Sequence, residues 1–576
     1  INWTRGKVNG STITLSSRNA GLLVAFLAIF VSFAGGALWR ILAIVFHHQR
    51  TSNGPQDGLH YQQQVILRNA TSPGVALWQF VSLLSWRKLS RRPIWRSLPL
   101  IVTALVILTV FFASGILVSA VTRTSGSEVL VHSDLCGNWT LISEKGVFGF
   151  QTKSLNDTIN AASYARSCYG GPSNKKALEC NQYQSQTLPY ITNNKKACPF
   201  ADEMCGSEVF TLDTGKLSSH DHLGINSKFE DRISYRRKTT CAPLEIGSFR
   251  ITRNYTDALN DEIGDLYGLE GDSEVTFAYN RHASSMGHGY DLHSVDYSSG
   301  NGVNNHWKPR DVLLRNDSDI SLMFLSANNI KYYGQVEDPI FNATDIINTF
   351  IDNGKNVSLY TSFYWVTAMG CVDQHQFCNP VNNKCTKLDS HFSAVREAQK
   401  SIRLNPMQHY TISVLSRDLY LSIVSRSIDG RGSAALRAQE YVSDLFSLPL
   451  PKDQWKKEVE YWFTIGLAKV QKAIVEYATG PSNVVDGTYL YKPNDTVSHQ
   501  LCHSQKIKAP PGSGATSFST LGVSVVVAIG GLLILGHLTL ELVVANSNPN
   551  HSYKLMRWAM DEKLQLQRQA FQGVGM

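Results

Sequence analysis

Three stretches of this chain stay apolar for the length of a membrane. Ala20 to Trp39 is twenty residues without a charge; Arg40 interrupts, and Ile41–Phe46 continues the run. Ser97 to Val121 adds twenty-five uncharged residues, and Ser519 to Leu540 adds twenty-two before Glu541. A helix needs about 20 residues to cross a ~30 Å hydrocarbon core, and backbone in lipid must satisfy its own hydrogen bonds. The pattern predicts three transmembrane helices, over 20–46, 97–121 and 519–545. A fourth run, Val75 to Trp86, is twelve residues long and too short to cross. With Trp78, Trp86 and Trp95 beside basic residues it predicts an interfacial segment over 75–96.

The central stretch 122–518 reads differently. To about Cys241 it is rich in Asn, Ser, Gly and Lys, which suits loops and short strands. Between Phe249 and Gly370, Glu274–Tyr279, Ile320–Leu325 and Val357–Thr367 are dense in β-branched and aromatic residues and predict strands. Residues 389–480 turn helical, with Ser390–Ile402, Met407–Ile428 and Ser433–Phe446 punctuated by Pro406 and Gly430. The clearest helix is 453–478: Trp455, Val459, Trp462, Phe463, Leu467, Val470, Ile474 and Tyr477 recur at steps of three and four. Asp453 is its expected N-cap and Gly480-Pro481 its stop. A Pro/Gly-rich stalk over 503–518 leads to the third apolar run. The fold class expected is a membrane protein with three transmembrane helices and a large α+β, disulfide-braced ectodomain, β-rich and cysteine-rich over 122–388.

Charge orients the spans. The loop 47–96 holds seven basic residues against Asp57, and the tail 546–576 holds four against two acids. Cytoplasmic loops carry such excess, so the loop and tail are expected inside, and 1–19 and 122–518 outside. The overall charge of +8 largely reflects that loop; it marks contact with anionic lipid, at about 1 kcal/mol per basic residue near the surface, and no nucleic-acid partner. The chain begins at Ile1, so a start or a cleaved signal peptide is expected to precede it.

Ten cysteines change the picture further, because all lie in the central stretch: Cys136, Cys168, Cys180, Cys198, Cys205, Cys241, Cys371, Cys378, Cys385 and Cys502. Disulfides persist in oxidising compartments. Ten cysteines allow about 945 complete pairings, so the connectivity stays open. Seven Asn-x-Ser/Thr sequons share the stretch, at Asn138, Asn156, Asn254, Asn316, Asn342, Asn356 and Asn494; Asn2 and Asn9 precede the first apolar run. All nine are candidates for N-linked glycans on the outer side. The plasma membrane or another secretory-pathway membrane is the expected location.

Chemistry is sparser. His375 lies between Cys371 and Cys378, His220-Asp221-His222 has metal-ligand spacing, and His282, His288, His293 and His306 cluster in sequence. Zinc knots place ligands two to four residues apart, and these histidines lie among loop-forming residues, so no metal or cofactor is assigned. Asp261, Glu262 and Asp265 read as a solvated acidic turn or helix start. No Gly-x-Ser-x-Gly, His-Glu-x-x-His, P-loop or Rossmann fingerprint occurs, so no catalytic residue is assigned. In the third apolar run His537 and Glu541 share a helix face. Gly530, Gly531 and Gly536, with Ala34-Gly35-Gly36-Ala37 in the first, offer surfaces for close helix packing or a homo-oligomer. Met556, Trp558 and Met560 could dock a cytosolic partner or lie along the surface.

The block Cys371-Val-Asp-Gln-His-Gln-Phe-Cys378-Asn-Pro through Cys385-Thr, the segment Val475-Glu-Tyr-Ala-Thr-Gly480-Pro481 and the opening Trp3-Thr-Arg-Gly-Lys-Val resemble a family of uncharacterised multi-pass membrane proteins of filamentous fungi. The resemblance implies a large cysteine-containing exterior domain on a fungal surface or endomembrane, and supplies no activity. Three functions fit. The first is a surface glycoprotein for recognition or sensing of an extracellular carbohydrate or protein. The second is an ectoenzyme on cell-wall or extracellular carbohydrate. The third is an accessory subunit of a larger membrane complex.

Overall fold

The computed structural model describes residues 1–576 except 53, 89–91, 123–127, 142–145, 172–177, 195–196, 207, 254–261, 271–272, 281–288, 301–304, 353–354, 482–483, 485–487, 509–514, 547–551 and 574–576. The chain divides into two compact units, one formed by 1–127 with 512–576 and the other by 128–511.

The first unit is built on three long helices, Ser17–Arg50, Pro93–Thr122 and Thr520–Asn546, each long and apolar enough to cross a membrane. Small residues set their packing. A Cβ at Gly35 would press into the Phe111 ring, and one at Gly530 would collide with Phe30. Gly536 lies beside Ile41, and Gly115 beside the Ala28 carbonyl. These pairings run the first and third helices parallel and the second antiparallel to the first. At one end Thr12–Ser16 pairs antiparallel with Ala515–Ser519, so the expected 503–518 stalk ends in a strand. At the other end the loop and the tail meet. His47 Nε2 lies 2.9 Å from Asp561 Oδ2, and the Trp558 ring stands edge-on to His47. Arg68 covers Trp558, and Asn69 donates to the Asp561 carbonyl while accepting from Lys563 N. Trp558 is thus buried against its own chain, which removes it from the set expected to dock a partner; Met556 stays exposed. The 75–96 segment forms a helix, Pro73–Ser82, and a 3-10 stretch, Leu83–Lys88, with Trp78 and Trp95 each 75% exposed.

The second unit is layered around one antiparallel sheet. Its strands are β1 (Ile191–Asn193), β2 (Phe210–Asp213), β3 (Ser234–Pro243), β4 (Asp291–Ser298), β5 (Asp319–Ser326) and β6 (Thr367–Asn379), in the order β4-β5-β6-β3-β2-β1. Side chains alternate faces along a strand. In β5, Met323 and Leu325 enter one apolar cluster, while Ile320, Leu322 and Phe324 enter another. The first cluster lies under the helices α1 (Gly146–Tyr164), α2 (His391–Ser401), α3 (Pro406–Tyr420), α4 (Val424–Ile428) and α5 (Gln454–Thr479). The second includes residues of smaller sheets formed by Arg250–Arg253, Glu262–Asp265, Phe277–Asn280 and the Gly268–Glu270/Trp307–Pro309 pair.

The α+β expectation holds, with local corrections. Helix α1 replaces loops and short strands. Met407–Ile428 is broken into α3 and α4. Ser433–Phe446 forms 3-10 turns and a short strand pair instead of a helix: the buried Glu458 carboxylate takes the Arg437 and Ala438 amides, and Asp444 and Leu445 turn with φ of 48° and 67°. Val357–Thr367 splits between the strand Lys355–Ser362 and the start of β6. Helix α5 is buried on nearly all sides rather than along one stripe, enclosing Glu458, Lys469 and Gln471. Asp453 is the N-cap residue as expected, but its side chain makes no cap bond; the Trp455 amide goes instead to the Asp338 carboxylate at 2.9 Å. Gly480 does end it, at φ 83°, with its N–H on the Glu476 carbonyl.

All ten cysteines pair: Cys136–Cys502, Cys168–Cys180, Cys198–Cys205, Cys241–Cys371 and Cys378–Cys385. Cys241 and Cys371 are directly opposed on β3 and β6, and Cys136–Cys502 ties the two ends of the unit together.

Candidate functional site

Charged side chains lie in the seam between sheet and helices. On β6, Asp373 Oδ1 accepts from Arg237 Nε and a terminal guanidinium nitrogen at 3.0 and 2.8 Å and from the Thr239 hydroxyl; its Oδ2 accepts Val424 N at 3.1 Å. Both ion-pair side chains are fully buried, and Arg237 also lies over the Phe463 ring. Two residues along β6, His375 Nδ1 meets the Tyr235 hydroxyl at 2.8 Å and Nε2 lies 3.3 Å from Asp319. Asp319 in turn accepts His391 N. Asp319 and Asp373 therefore occupy the N-termini of α2 and α4, where amide groups lack intrahelical partners. This seam is structural: it pins helices to the sheet, and it accounts for His375 between its cysteines.

The candidate site lies at one end of the helical layer. A cavity of about 270 Å³ is lined by Gly137–Thr140, Lys153 of α1, Ser413–Asp418 residues of α3, and Ala473, Glu476 and Tyr477 of α5. Its wall is the strand Asn138–Leu141, paired with Thr488–Tyr491. That wall is held by the Cys136–Cys502 bridge, by Gly137 N on the Tyr477 carbonyl and by Arg417 on the Trp139 carbonyl. Gly137 has φ 148°, and a Cβ there would strike the Tyr491 carbonyl and the Leu490 side chain, so only glycine fits the close approach.

Lys153 and Glu476 of its lining belong to a closed ring of four charges with Asp157 and Lys472. Lys153 meets Asp157 at 2.5 Å and Glu476 at 3.5 Å; Lys472 meets Asp157 at 2.6 Å and Glu476 at 3.2 Å. Each helix supplies one i,i+4 pair, and the pairs cross. Burial opposes ionisation of Asp157, but Lys153 and Lys472 outweigh it and hold its carboxyl below the ordinary range. Asp418 is different. Burial pushes its carboxyl up to about 6, with Arg417 and Lys153 pulling back only in part, and its carboxylate has no hydrogen bond among the described residues. Trp139 Nε1 is out of solvent with no acceptor among the described residues, whereas Asp418 is half-buried and open to the cavity. A buried donor left unmade costs about 1–3 kcal/mol, so the cavity sets an unmet indole N–H beside a carboxylate that no protein group engages among the described residues.

The residues singled out by sequence fall elsewhere. His220 is buried, not solvated: its Nδ1 accepts Ser227 N, its Nε2 lies 3.3 Å from Lys506 Nζ, and burial followed by Lys506 lowers it to about 4. His222 Nδ1 accepts Ser218 N. His293 stacks on Phe277, His306 is exposed, and His282 and His288 lie outside the described residues. Among the described residues no three His, Cys, Asp or Glu side chains converge on a metal position. Glu262 and Asp265 belong to a strand rather than a turn, with Asp265 buried against Arg250 through two bonds; Asp261 lies outside the described residues. Among the sequons, Asn9, Asn138, Asn316, Asn356 and Asn494 are exposed, Asn156 and Asn342 half-buried, and Asn2 buried with its side chain accepting Thr4 N; Asn254 lies outside the described residues. Comparison of the chain with protein-family models, curated proteins and solved structures gave no match.

Proposed function

We propose that the chain is a membrane-anchored surface glycoprotein whose 128–511 unit recognises a small, hydroxyl-rich extracellular ligand, a sugar by chemistry. In this reading the three long helices span a plasma or secretory-pathway membrane with the N-terminus outside and the C-terminus in the cytoplasm. The exposed sequons carry glycans, and the protein is of the filamentous-fungal kind its motifs resemble. Support for the anchoring comes from the basic loop and tail meeting at one end of the bundle and from five bridges confined to the other unit.

The observation that carries the recognition reading is the cavity holding Asp418 and Trp139 together. A sugar offers hydroxyls to an unmet carboxylate and an unmet indole N–H, and an apolar face to an aromatic ring. Lys153 and Arg417 add donors, and the charge ring holds Lys153 and Glu476 in place. The test is tryptophan fluorescence of the full-length protein in uncharged detergent, titrated with neutral mono- and disaccharides. Saturable quenching that Asp418→Asn weakens about tenfold and Trp139→Phe abolishes supports the reading; quenching untouched by either change, or no saccharide response at all, contradicts it.

One further observation favours the ectoenzyme reading. Asp418, whose carboxyl burial pushes up to about 6, and Glu476 line the same cavity. Two carboxyl groups facing one cleft are what acid–base hydrolysis of a glycosidic bond uses. Release of reducing ends from wall polysaccharide, lost in Glu476→Gln with binding retained, would select hydrolysis over recognition.

A further inference from the structure

We infer that the first unit holds a binding site for an anionic phospholipid, in a groove between the first and third long helices. This rests on reading those helices as membrane spans. The groove has a volume of about 580 Å³, within the range of small-molecule sites. Its two ends differ in chemistry. One is walled by Ile29 and Phe33 of the first helix, both exposed; Ile534 and Leu538 of the third flank His537. The other end presents Arg40, Thr71, Ser72 and His537.

Two features create the space. Gly36 faces the groove, and a Cβ there would meet nothing within 4 Å. The floor is fixed because the 68–72 segment is strapped to the first helix: Trp39 Nε1 donates to the Ala70 carbonyl at 3.2 Å, and Arg40 to the Arg68 carbonyl at 2.9 Å. A guanidinium and two hydroxyls at the rim of an apolar channel match a phosphate with an attached acyl chain. Arg pairs well with phosphate because its planar donors are preset. The same end of the bundle carries the basic loop, so the local field favours a negative headgroup. A soluble anion would use only the polar half of the groove and leave the apolar walls uncovered, so the occupant assigned is a lipid whose phosphate lies at Arg40 and whose chain runs past Gly36 toward Ile29.

The test uses the full-length protein in uncharged detergent, with native mass spectrometry reading bound lipid. Phosphatidylserine is titrated against phosphatidylcholine, with and without excess inorganic phosphate. The expected result is retention of phosphatidylserine over phosphatidylcholine by about tenfold or more, unaffected by inorganic phosphate. Arg40→Gln should remove the headgroup preference, and Gly36→Leu, which fills the channel while leaving Arg40 in place, should remove retention of both lipids. Equal retention of the two lipids, displacement by inorganic phosphate, or unchanged retention in Gly36→Leu overturns the site. Alkaline carbonate extraction of native membranes separates the premise: protein that stays with the membrane yet retains no phosphatidylserine refutes the groove alone, and protein released by carbonate refutes the spans.

Discussion

Replacing Asp373 by Asn probes the seam that joins sheet to helices. The wild-type carboxylate takes four donors: two nitrogens of Arg237, the Thr239 hydroxyl and the amide of Val424. An amide side chain has one acceptor oxygen, so either the guanidinium or the N-terminus of α4 loses its partner, and the buried positive charge is no longer neutralised. Breaking a buried pair from one side costs about 3–5 kcal/mol. The Phe463 ring beneath Arg237 still offers about 2 kcal/mol of cation–π attraction, which places the variant near the lower bound, at about 3 kcal/mol. Unfolding entropy of about 2.1 cal/mol/K per residue across residues 128–511 converts this to a fall in Tm of about 4 °C. The assay is scanning calorimetry of the full chain in detergent under non-reducing conditions. Adding Arg237→Met to Asp373→Asn removes the stranded charge and should recover more than half of the loss. A single variant within 1 °C of wild type, or a double variant worse than the single by the full cost again, would show that the buried pair does not hold the seam.

Three more outcomes follow from the same geometry. Gly466→Ala should destabilise by about 2–3 kcal/mol although alanine is the better helix former, because its Cβ meets the Arg237 guanidinium and the Ser422 carbonyl; urea unfolding reads this. Removing Cys136–Cys502 should cost more than removing Cys198–Cys205, the chain-entropy relation giving upper figures of about 6 and about 2 kcal/mol for loops of 366 and 7 residues, with the same measurement ranking them. Burial raises Glu458 to about 7 and lowers Lys469 to about 7. The unfolded chain releases the Glu458 proton first, so its contribution to stability falls as pH rises from about 4.5 to 7. Lys469 loses its proton in the folded chain first, so its contribution rises from pH 7 to about 10.5. Glu458→Gln should therefore remove a fall in stability between about pH 4.5 and 7, and Lys469→Met a rise between about pH 7 and 10.5.

The legible parts of the fold are those written in local pattern. An uncharged run of membrane length needs no partner to be recognised, and the helices Ser17–Arg50, Pro93–Thr122 and Thr520–Asn546 extend the expected spans by at most a few residues. Helix α5 showed its three-and-four spacing, but its buried Glu458 and Lys469 read as solvent-facing, since only the packed structure supplies the amides of Arg437 and Ala438 and the carbonyls of Leu421 and Arg426 that satisfy them. Helix α1 was hidden by its two glycines and its Asn, Ser and Thr residues; crossing ion pairs to α5 hold it. The β6 strand was obscured because Asp373 and His375 imitate a polar loop. The candidate site joins residues near 139, 153, 418 and 476, a convergence without a local signature. Its one sequence trace is the pair of i,i+4 charge couples, Lys153/Asp157 and Lys472/Glu476, each of which reads alone as a solvated helix face.

In the proposed reading residues 128–511 mature outside the cytosol as a bridged, glycosylated recognition unit. Alkylation of intact cells, followed by non-reducing peptide mapping with and without endoglycosidase, separates that reading from a cytosolic one. Linked peptides joining Cys136 to Cys502 and Cys241 to Cys371 are expected, with a mass loss at Asn138, Asn316 or Asn494 on deglycosylation. Alkylated cysteines throughout, with every sequon peptide unmodified, would contradict it.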